Sequence, residues 1–286
     1  MSKFKYLQVE SLPEAFSILD EYGKSAALLA GGTDLLINIK EGKIMPRAVI
    51  PLKRIRALAG RITPENEGLT IGALATLSEV AANETVRARY TALAEAAGKI
   101  GSRQVRNWAT IGGNICNASP AADTVPALLL FDAEINITGK RGQRAVPAAA
   151  FFLGPGKTDL REGEIVESIF LPAPPPECGS CYLKLGRREG VDLAIVGAAA
   201  LVSRAGEVRI AVGAAGPTAF RATGAEKLLA GRAGSAEALE KALPEVSGQA
   251  RPITDIRASR EYRLAMVEVL TRRALETAGD RLKQKE

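Results

Sequence analysis

Residues 107–123 read NWATIGGNICNASPAAD, and the chain is read outward from the pair Gly112-Gly113 at its centre. A glycine pair carries no side chains, so another group can approach its backbone closely. Successive N–H groups exposed at such a turn form a nest that attracts anions. Small polar residues follow, Asn114, Asn117 and Ser119, then Pro120 and a lone acid, Asp123. A second pair stands upstream in Ala30-Gly31-Gly32-Thr33-Asp34. Either turn alone reads equally well as a tight turn without a ligand. Two of them, each flanked by hydroxyl and amide side chains, point to two jaws on one phosphate-bearing molecule.

Around the upstream pair the pattern is that of a small α/β unit. Ser11-Leu12-Pro13-Glu14 starts a helix with a cap, a first-turn proline and an acid, and Gly23 ends it. Residues 26–30 form a short apolar run, expected as a buried strand, and 31–34 are its exit. Residues 35–40 read as a helix and 48–52 as another strand. Strand, glycine turn and helix in that order suit a phosphate, because a helix start offers free N–H groups and a positive dipole end.

A second unit runs from about 55 to 172. It has strands at 69–72, 133–139 and 164–171, a short helix at 76–82 and one longer helix over 86–100. Leu128-Leu129-Leu130 is simply apolar. The proline-rich stretch 173–177 is a stiff linker. Beyond it, 181–187, 193–203 and 207–214 read as three strands. Helices follow near 222–229 and 236–243, with a long one from 259 to about 278. The fold class is α+β, with domains at 1–175 (subdomains about 1–54 and 55–175) and 177–286.

Composition narrows the chemistry. The 286 residues contain no histidine, which removes imidazole acid–base chemistry, Ser-His-Asp catalysis and His-ligated zinc together. Three cysteines, Cys116, Cys178 and Cys181, cannot complete a four-thiolate cluster, and Cys178-Gly-Ser-Cys181 reads first as two incidental thiols, with half a zinc site or a redox pair as the alternative. The net charge of +6 is dispersed and lacks the aromatic spacing of an RNA platform, so no nucleic-acid partner is expected. No apolar run approaches the ~20 residues of a membrane span, and the first residues lack a signal-peptide core. A cytoplasmic location is expected. Gly154-Pro-Gly-Lys-Thr158 ends like a P-loop, but Phe151 stands where the first glycine belongs and Pro155 removes an N–H, so an ATP site is rejected. Redox chemistry here would need a bound organic cofactor.

AGGTDLL at 30–36 together with TIGGN at 110–114 resembles the FAD-binding, or medium, subunits of the molybdenum hydroxylases. That group includes xanthine dehydrogenase and aerobic carbon monoxide dehydrogenase. The likeness extends to Ser119-Pro120 with Asp123, to 151–158, to Glu164-Ile165-Val166, and to Tyr182, Lys184, Arg187, Arg188 and Asp192. It implies a two-subdomain FAD-binding domain of the vanillyl-alcohol-oxidase (PCMH) type, then a C-terminal α+β domain with a three-stranded antiparallel sheet. It implies FAD as cofactor, with Leu28, Leu29, Ala30, Gly31, Gly32, Thr33, Asp34 and Leu35 wrapping the diphosphate through backbone N–H groups. Thr110, Ile111, Gly112, Gly113 and Asn114 would close on it from the other subdomain.

By the same resemblance Asp123 matches an acid that holds ribose or ribityl hydroxyls, Val166 a backbone contact to adenine, and Lys184 a lysine near the flavin ring. Ile100 aligns where a relative places an aromatic neighbour of FAD, and Tyr182 is a further candidate beside the ring. Read without the resemblance, Asp123 is an ordinary helix N-cap, Val166 a core valine and Lys184 a solvated strand residue. No residue is assigned a catalytic or metal-binding role. The implied partners are a small subunit with two [2Fe-2S] clusters and a large molybdopterin subunit, in a dimer of heterotrimers. An external acceptor (NAD, oxygen, a quinone or another carrier) would take the electrons. The alternative is a stand-alone FAD-dependent oxidase or dehydrogenase acting directly on a small molecule.

Overall fold

A computed structural model of the chain describes residues 3–65 and 67–284. Met1 and Ser2, which open the first expected subdomain, and the last two residues of the expected C-terminal domain lie outside the described residues. The first unit is a three-stranded parallel sheet with Ala48–Pro51 between Lys5–Tyr6 and Ala26–Leu29. Parallel neighbours need crossovers, and helices Leu12–Tyr22 and Leu35–Lys40 supply them. The Ser11 hydroxyl accepts from the Glu14 amide and Gly23 ends the first helix at φ 51°. Strand Ala26–Leu29 is half-buried where a buried strand was expected, because it is an edge of its sheet.

The second unit is a five-stranded antiparallel sheet. Its order is Ile62–Glu65, Gly68–Gly72, Glu164–Pro172, Glu134–Gly139, Gly142–Pro147. The expected helix over 86–100 is in fact two, Glu84–Arg89 and Thr91–Gly98. Tyr90 breaks it at φ −123° and ψ 46°. Its ring is buried against Phe131, edge to face at 5.1 Å, and its hydroxyl donates to the carbonyls of Leu171 and Pro172 at 3.1 Å. A tertiary anchor on the sheet outweighs helical continuity here. The apolar run 128–130 is the end of a fully buried helix, Thr124–Leu130.

The C-terminal sheet has four antiparallel strands, not the three expected: Cys178–Leu185, Val196–Ser203, Val208–Gly213 and Phe220–Arg221. The fourth is two residues long, too short to show an alternation. Val196–Ser203 is buried at every position. Helix Arg260–Lys283 packs on this sheet, and so does Thr124–Leu130 of the preceding unit. A strand covered on both faces reads as a continuous apolar run. Arg209 and Arg221 from this sheet donate to the carbonyls of Leu130 and Leu129 at 3.0 and 2.9 Å. Two cations thereby close the C-terminal end of that helix, where its dipole is negative.

Among the described residues no helix is long and apolar enough to cross a membrane. Cys178 and Cys181 are both buried and free of disulfides, and the Cys181 thiol donates to the Ala274 carbonyl at 3.1 Å. Among the described residues no group of three His, Cys, Asp or Glu side chains is placed to hold a metal.

Candidate functional site

The two glycine turns meet. A Cβ on Gly31 would collide with the Trp108 carbonyl oxygen, so one backbone lies directly on the other. Asn117 on one side donates to the Asp34 carboxylate on the other at 3.3 Å. Beside this junction lies a cavity of about 990 Å³ bounded by both turns and by strand Cys178–Leu185. A second cavity of about 770 Å³ lies across residues 30–33 from it.

The two turns use their amides differently. Among the described residues, the N–H groups of Gly31, Gly32, Thr33 and Asp34 make no hydrogen bond within the protein. Gly32 has φ 78°, the left-handed conformation that bends successive amides toward one point. The downstream turn was expected as a second nest, and the structure corrects this. Its residues are the first turn of helix Ile111–Asn117, capped by Thr110. The amides of Ile111 and Gly112 donate to the carbonyls of Ala75 and Ala73, at 2.9 Å each. That of Gly113 donates to the Thr110 hydroxyl at 3.0 Å, and that of Asn114 to the Thr110 carbonyl at 2.9 Å. Gly112 serves contact rather than nest formation, since a Cβ there would stand 2.6 Å from the Ala73 carbonyl oxygen. The Asn114 side-chain oxygen accepts from Thr124 at 2.5 Å, which leaves its NH₂ group as the remaining donor.

Asp123 lies on the cavity wall and is 4% exposed. It does not cap helix Thr124–Leu130; no side-chain cap bond forms there. One carboxylate oxygen accepts from the Tyr182 hydroxyl at 2.6 Å, the other from the Lys184 ammonium at 2.7 Å. Lys184 also donates to the Lys99 carbonyl at 3.2 Å. Burial pushes the Asp123 carboxyl above its ordinary range, and the charge and hydrogen bond of Lys184, then the Tyr182 hydroxyl, pull it back. Tyr182 is fully buried against Asp123 and does not border the cavity, so it is not a wall beside a ligand ring. Burial and the Asp123 charge raise its phenol well above the ordinary value.

Besides Tyr182, four of the residues expected at the site stand outside the larger cavity. Leu29 borders the smaller one, Ile111 and Gly112 are buried behind the downstream turn, and Val166 is buried in strand Glu164–Pro172. All the others, including Leu28, Ile100 and Lys184, border the larger cavity. The sequence reading missed Asn117 as a bridge between the turns and Val191, Asp192 and Leu193 as part of the wall. The Asp192 carboxylate accepts from the amides of Arg187 and Leu193 at 2.9 Å, which fastens that loop and lowers its own pKa. The glycine at 190, with φ 110°, was the available signal for a turn there.

The donor set fits a dinucleotide carrying a diphosphate. Free amides beside a glycine cradle suit the charged oxygens, and a buried carboxylate–ammonium pair suits hydroxyls and a polar ring edge.

Comparison with known proteins agrees with this geometry. The family described as the FAD binding domain in molybdopterin dehydrogenase matches residues 2–174, and the CO dehydrogenase flavoprotein C-terminal domain matches 181–278. The chain is similar to the xanthine dehydrogenase FAD-binding subunit of Escherichia coli O157:H7, with 32% identity over 96% of this chain and 95% of that one. It is 34% identical to the glyceraldehyde dehydrogenase medium chain of Sulfolobus acidocaldarius, over 95% and 97% of the two chains. Its fold matches a chain of the carbon monoxide dehydrogenase from Hydrogenophaga pseudoflava that lacks the Mo-pyranopterin moiety, with TM-score 0.93, 36% identity and 98% of each chain covered. The chain therefore belongs to the family of FAD-binding subunits of molybdopterin-dependent dehydrogenases, and it is a flavoprotein oxidoreductase subunit.

Proposed function

We propose that the larger cavity is the FAD site and that the chain passes electrons from the [2Fe-2S] clusters of a small partner subunit to an external acceptor. A large molybdopterin subunit carries out the substrate chemistry. The observation that carries this reading is the run of unpaired amides from Gly31 to Asp34 facing the same cavity as the Asp123–Lys184 pair. Gly31, Gly32, Thr33 and Asp34 hold the diphosphate by backbone N–H groups, with Leu28, Ala30, Leu35, Ile100, Gly113 and Asn114 completing the walls. When bound, FAD supplies a redox centre that takes up and releases electrons singly or in pairs. Asp123 holds the Lys184 ammonium in place, and its remaining lone pairs accept from sugar or ribityl hydroxyls. Val166, buried in its strand outside this cavity, is given no contact with the cofactor.

The two family matches support a division at the proline linker, into domains 1–175 and 177–286. The assembly proposed is a cytoplasmic dimer of three-chain units. A stand-alone oxidase is the less favoured reading, because the chain has no histidine to serve as a base beside the ring and Asp123 and Lys184 are committed to each other.

The test is an absorption spectrum of the purified chain and the mass of its acid-released cofactor. Flavin bands near one equivalent with FAD released are the expected result. A chain that is folded by circular dichroism yet takes up no added FAD overturns the reading.

A further inference from the structure

Tyr182 and Lys184 stand two residues apart on one face of strand Cys178–Leu185, and both reach Asp123. Lys184 borders the larger cavity and Tyr182 does not. A carboxylate held at one oxygen can turn about that bond. Held at both, by two donors from one strand, it has a fixed plane, and the lone pairs still free on its oxygens have a fixed direction. The tyrosine is itself secured at both ends. Its amide donates to the Glu95 carboxylate at 2.8 Å. Arg281, near the end of helix Arg260–Lys283, donates to that same carboxylate and to the Ser180 carbonyl. At the other end, the Tyr182 hydroxyl lies against Gly197 of the neighbouring strand Val196–Ser203, the residue paired with Lys184. A Cβ on Gly197 would stand 2.4 Å from the hydroxyl oxygen and 3.1 Å from two ring carbons. The side chain that Gly197 lacks is therefore the space through which the phenol reaches Asp123.

Resting on the functional reading above, we infer that Tyr182 is a positioning residue for the cofactor: its hydroxyl, seated on Gly197, aims the Asp123 carboxylate at the hydroxyls of FAD without touching the cofactor itself. Without this bond Asp123 keeps only Lys184, whose ammonium sits on a flexible four-carbon stem. The bond also favours the ionised carboxylate, the form that accepts from hydroxyls. The charged groups facing Asp123 are Lys184 from its strand and Lys99 from the end of helix Thr91–Gly98. Asp34, Cys116 and Asp192 stand elsewhere on the cavity wall. Tyr182→Phe leaves all of these in place, so a change in pH dependence between the two proteins reports Asp123.

The experiment titrates FAD into the full-length apoprotein from neutral pH into the acid range, with folding checked by circular dichroism at each pH. Wild type is expected to bind most tightly where Asp123 is ionised and to weaken as pH falls. Tyr182→Phe is expected to bind roughly tenfold more weakly near neutrality. Its affinity should begin to fall at a higher pH than that of wild type, because the ionised form has lost a donor. Gly197→Ala is expected to do the same with the tyrosine present, since its Cβ displaces the hydroxyl. In the Tyr182→Phe background, where the atom it meets first is gone, Gly197→Ala should change affinity less than about twofold. The two single variants reach the hydroxyl by different routes, so the pH profile of either tests it if the other does not fold. A Tyr182→Phe or Gly197→Ala profile that runs parallel to wild type, weaker by one factor at every pH, overturns the inference and leaves the functional reading standing. Equal losses from Gly197→Ala in both backgrounds overturn the seat of the hydroxyl and the inference with it. A folded wild-type chain that takes up no FAD overturns the functional reading and this inference together.

Discussion

The two glycine pairs, Gly31-Gly32 and Gly112-Gly113, look alike in sequence and do opposite work. At the first, the amides are left unpaired beside a cavity. At the second, all four amides from Ile111 to Asn114 are bonded to protein acceptors. The first pair leaves donors available, and it is the pair we propose for the anion. The second is a packing device: it lets helix Ile111–Asn117 start hard against residues 73–75, and it carries the preceding segment onto the first turn. What separates them is the neighbour. Ala75 and Ala73 offer carbonyls to Ile111 and Gly112 at the second turn, whereas the first faces an opening.

The comparison breaks most decisively at Gly31. In Gly31→Val the new side chain meets the backbone of Trp108 and Ala109, which cannot move as a flexible side-chain end can. The turn must withdraw, and its amides leave the cavity. Near-complete loss of bound FAD is expected, read from the ratio of flavin to protein absorbance, with a destabilisation at or above ~3 kcal/mol. Gly112→Ala sharpens the contrast. Its Cβ meets the Ala73 carbonyl oxygen at 2.6 Å, so the melting temperature should fall, at a cost of ~2–3 kcal/mol. The folded fraction should keep its FAD affinity, because no amide of that turn is held ready for the ligand. A tenfold loss of affinity at undiminished stability would reverse the assignment.

How much of this was legible in the sequence follows the range of each interaction. The helix starts at Ser11 and Ser259 were legible, because a cap is decided within three residues: Ser11 bonds Glu14 and Ser259 bonds Tyr262. The upstream turn was legible for the same reason, as strand, glycines and helix are adjacent in the chain. The amide partners of Ile111 and Gly112 were not, since Ala75 and Ala73 lie far back along the chain. The break at Tyr90 was hidden likewise, as its hydroxyl is fixed by carbonyls 81 and 82 residues on. The resemblance placed Asp123 and Lys184 at the site but not against each other, and Tyr182, 59 residues from its partner acid, was misplaced as a cavity wall. Asn117 stood out only as a small polar residue after the glycines, and its partner Asp34 lies 83 residues away.

Tyr182→Phe tests the wall that both turns face. The Tyr182 hydroxyl donates to a buried, charged carboxylate, and such a bond contributes ~1.5–3 kcal/mol. Its loss should destabilise the chain by about 2 kcal/mol near neutral pH. The pH dependence identifies the mechanism. Burial raises the folded-state pKa of Asp123 above the ordinary value of 3.8, so the folded protein binds the extra proton between those two values. Stability from this group is therefore highest below 3.8 and falls as pH rises through the folded pKa. Removing the hydroxyl moves that pKa further up, because one of the groups favouring the ionised form is gone. The gap in melting temperature between wild type and variant should thus be widest near neutrality and narrow toward pH 4 and below. A gap independent of pH would mean that Tyr182 acts by packing alone.

The smallest expected effect belongs to the direct bridge between the turns. Asn117 donates to Asp34 over 3.3 Å, a long bond between exposed residues. An exposed bond of this kind contributes ~0.5 kcal/mol at most, so Asn117→Ala should shift the melting temperature by little more than a degree. Asp34 also faces the cavity, and with Asn117 gone its carboxylate is free to move toward the diphosphate, where like charges repel. A modest loss of FAD affinity, about twofold to threefold, is therefore expected at almost unchanged stability, measured by titrating FAD into the apoprotein. A stability loss comparable to that of Gly112→Ala would instead show that the two turns are held together by this bond, and not by the backbone contact at Gly31.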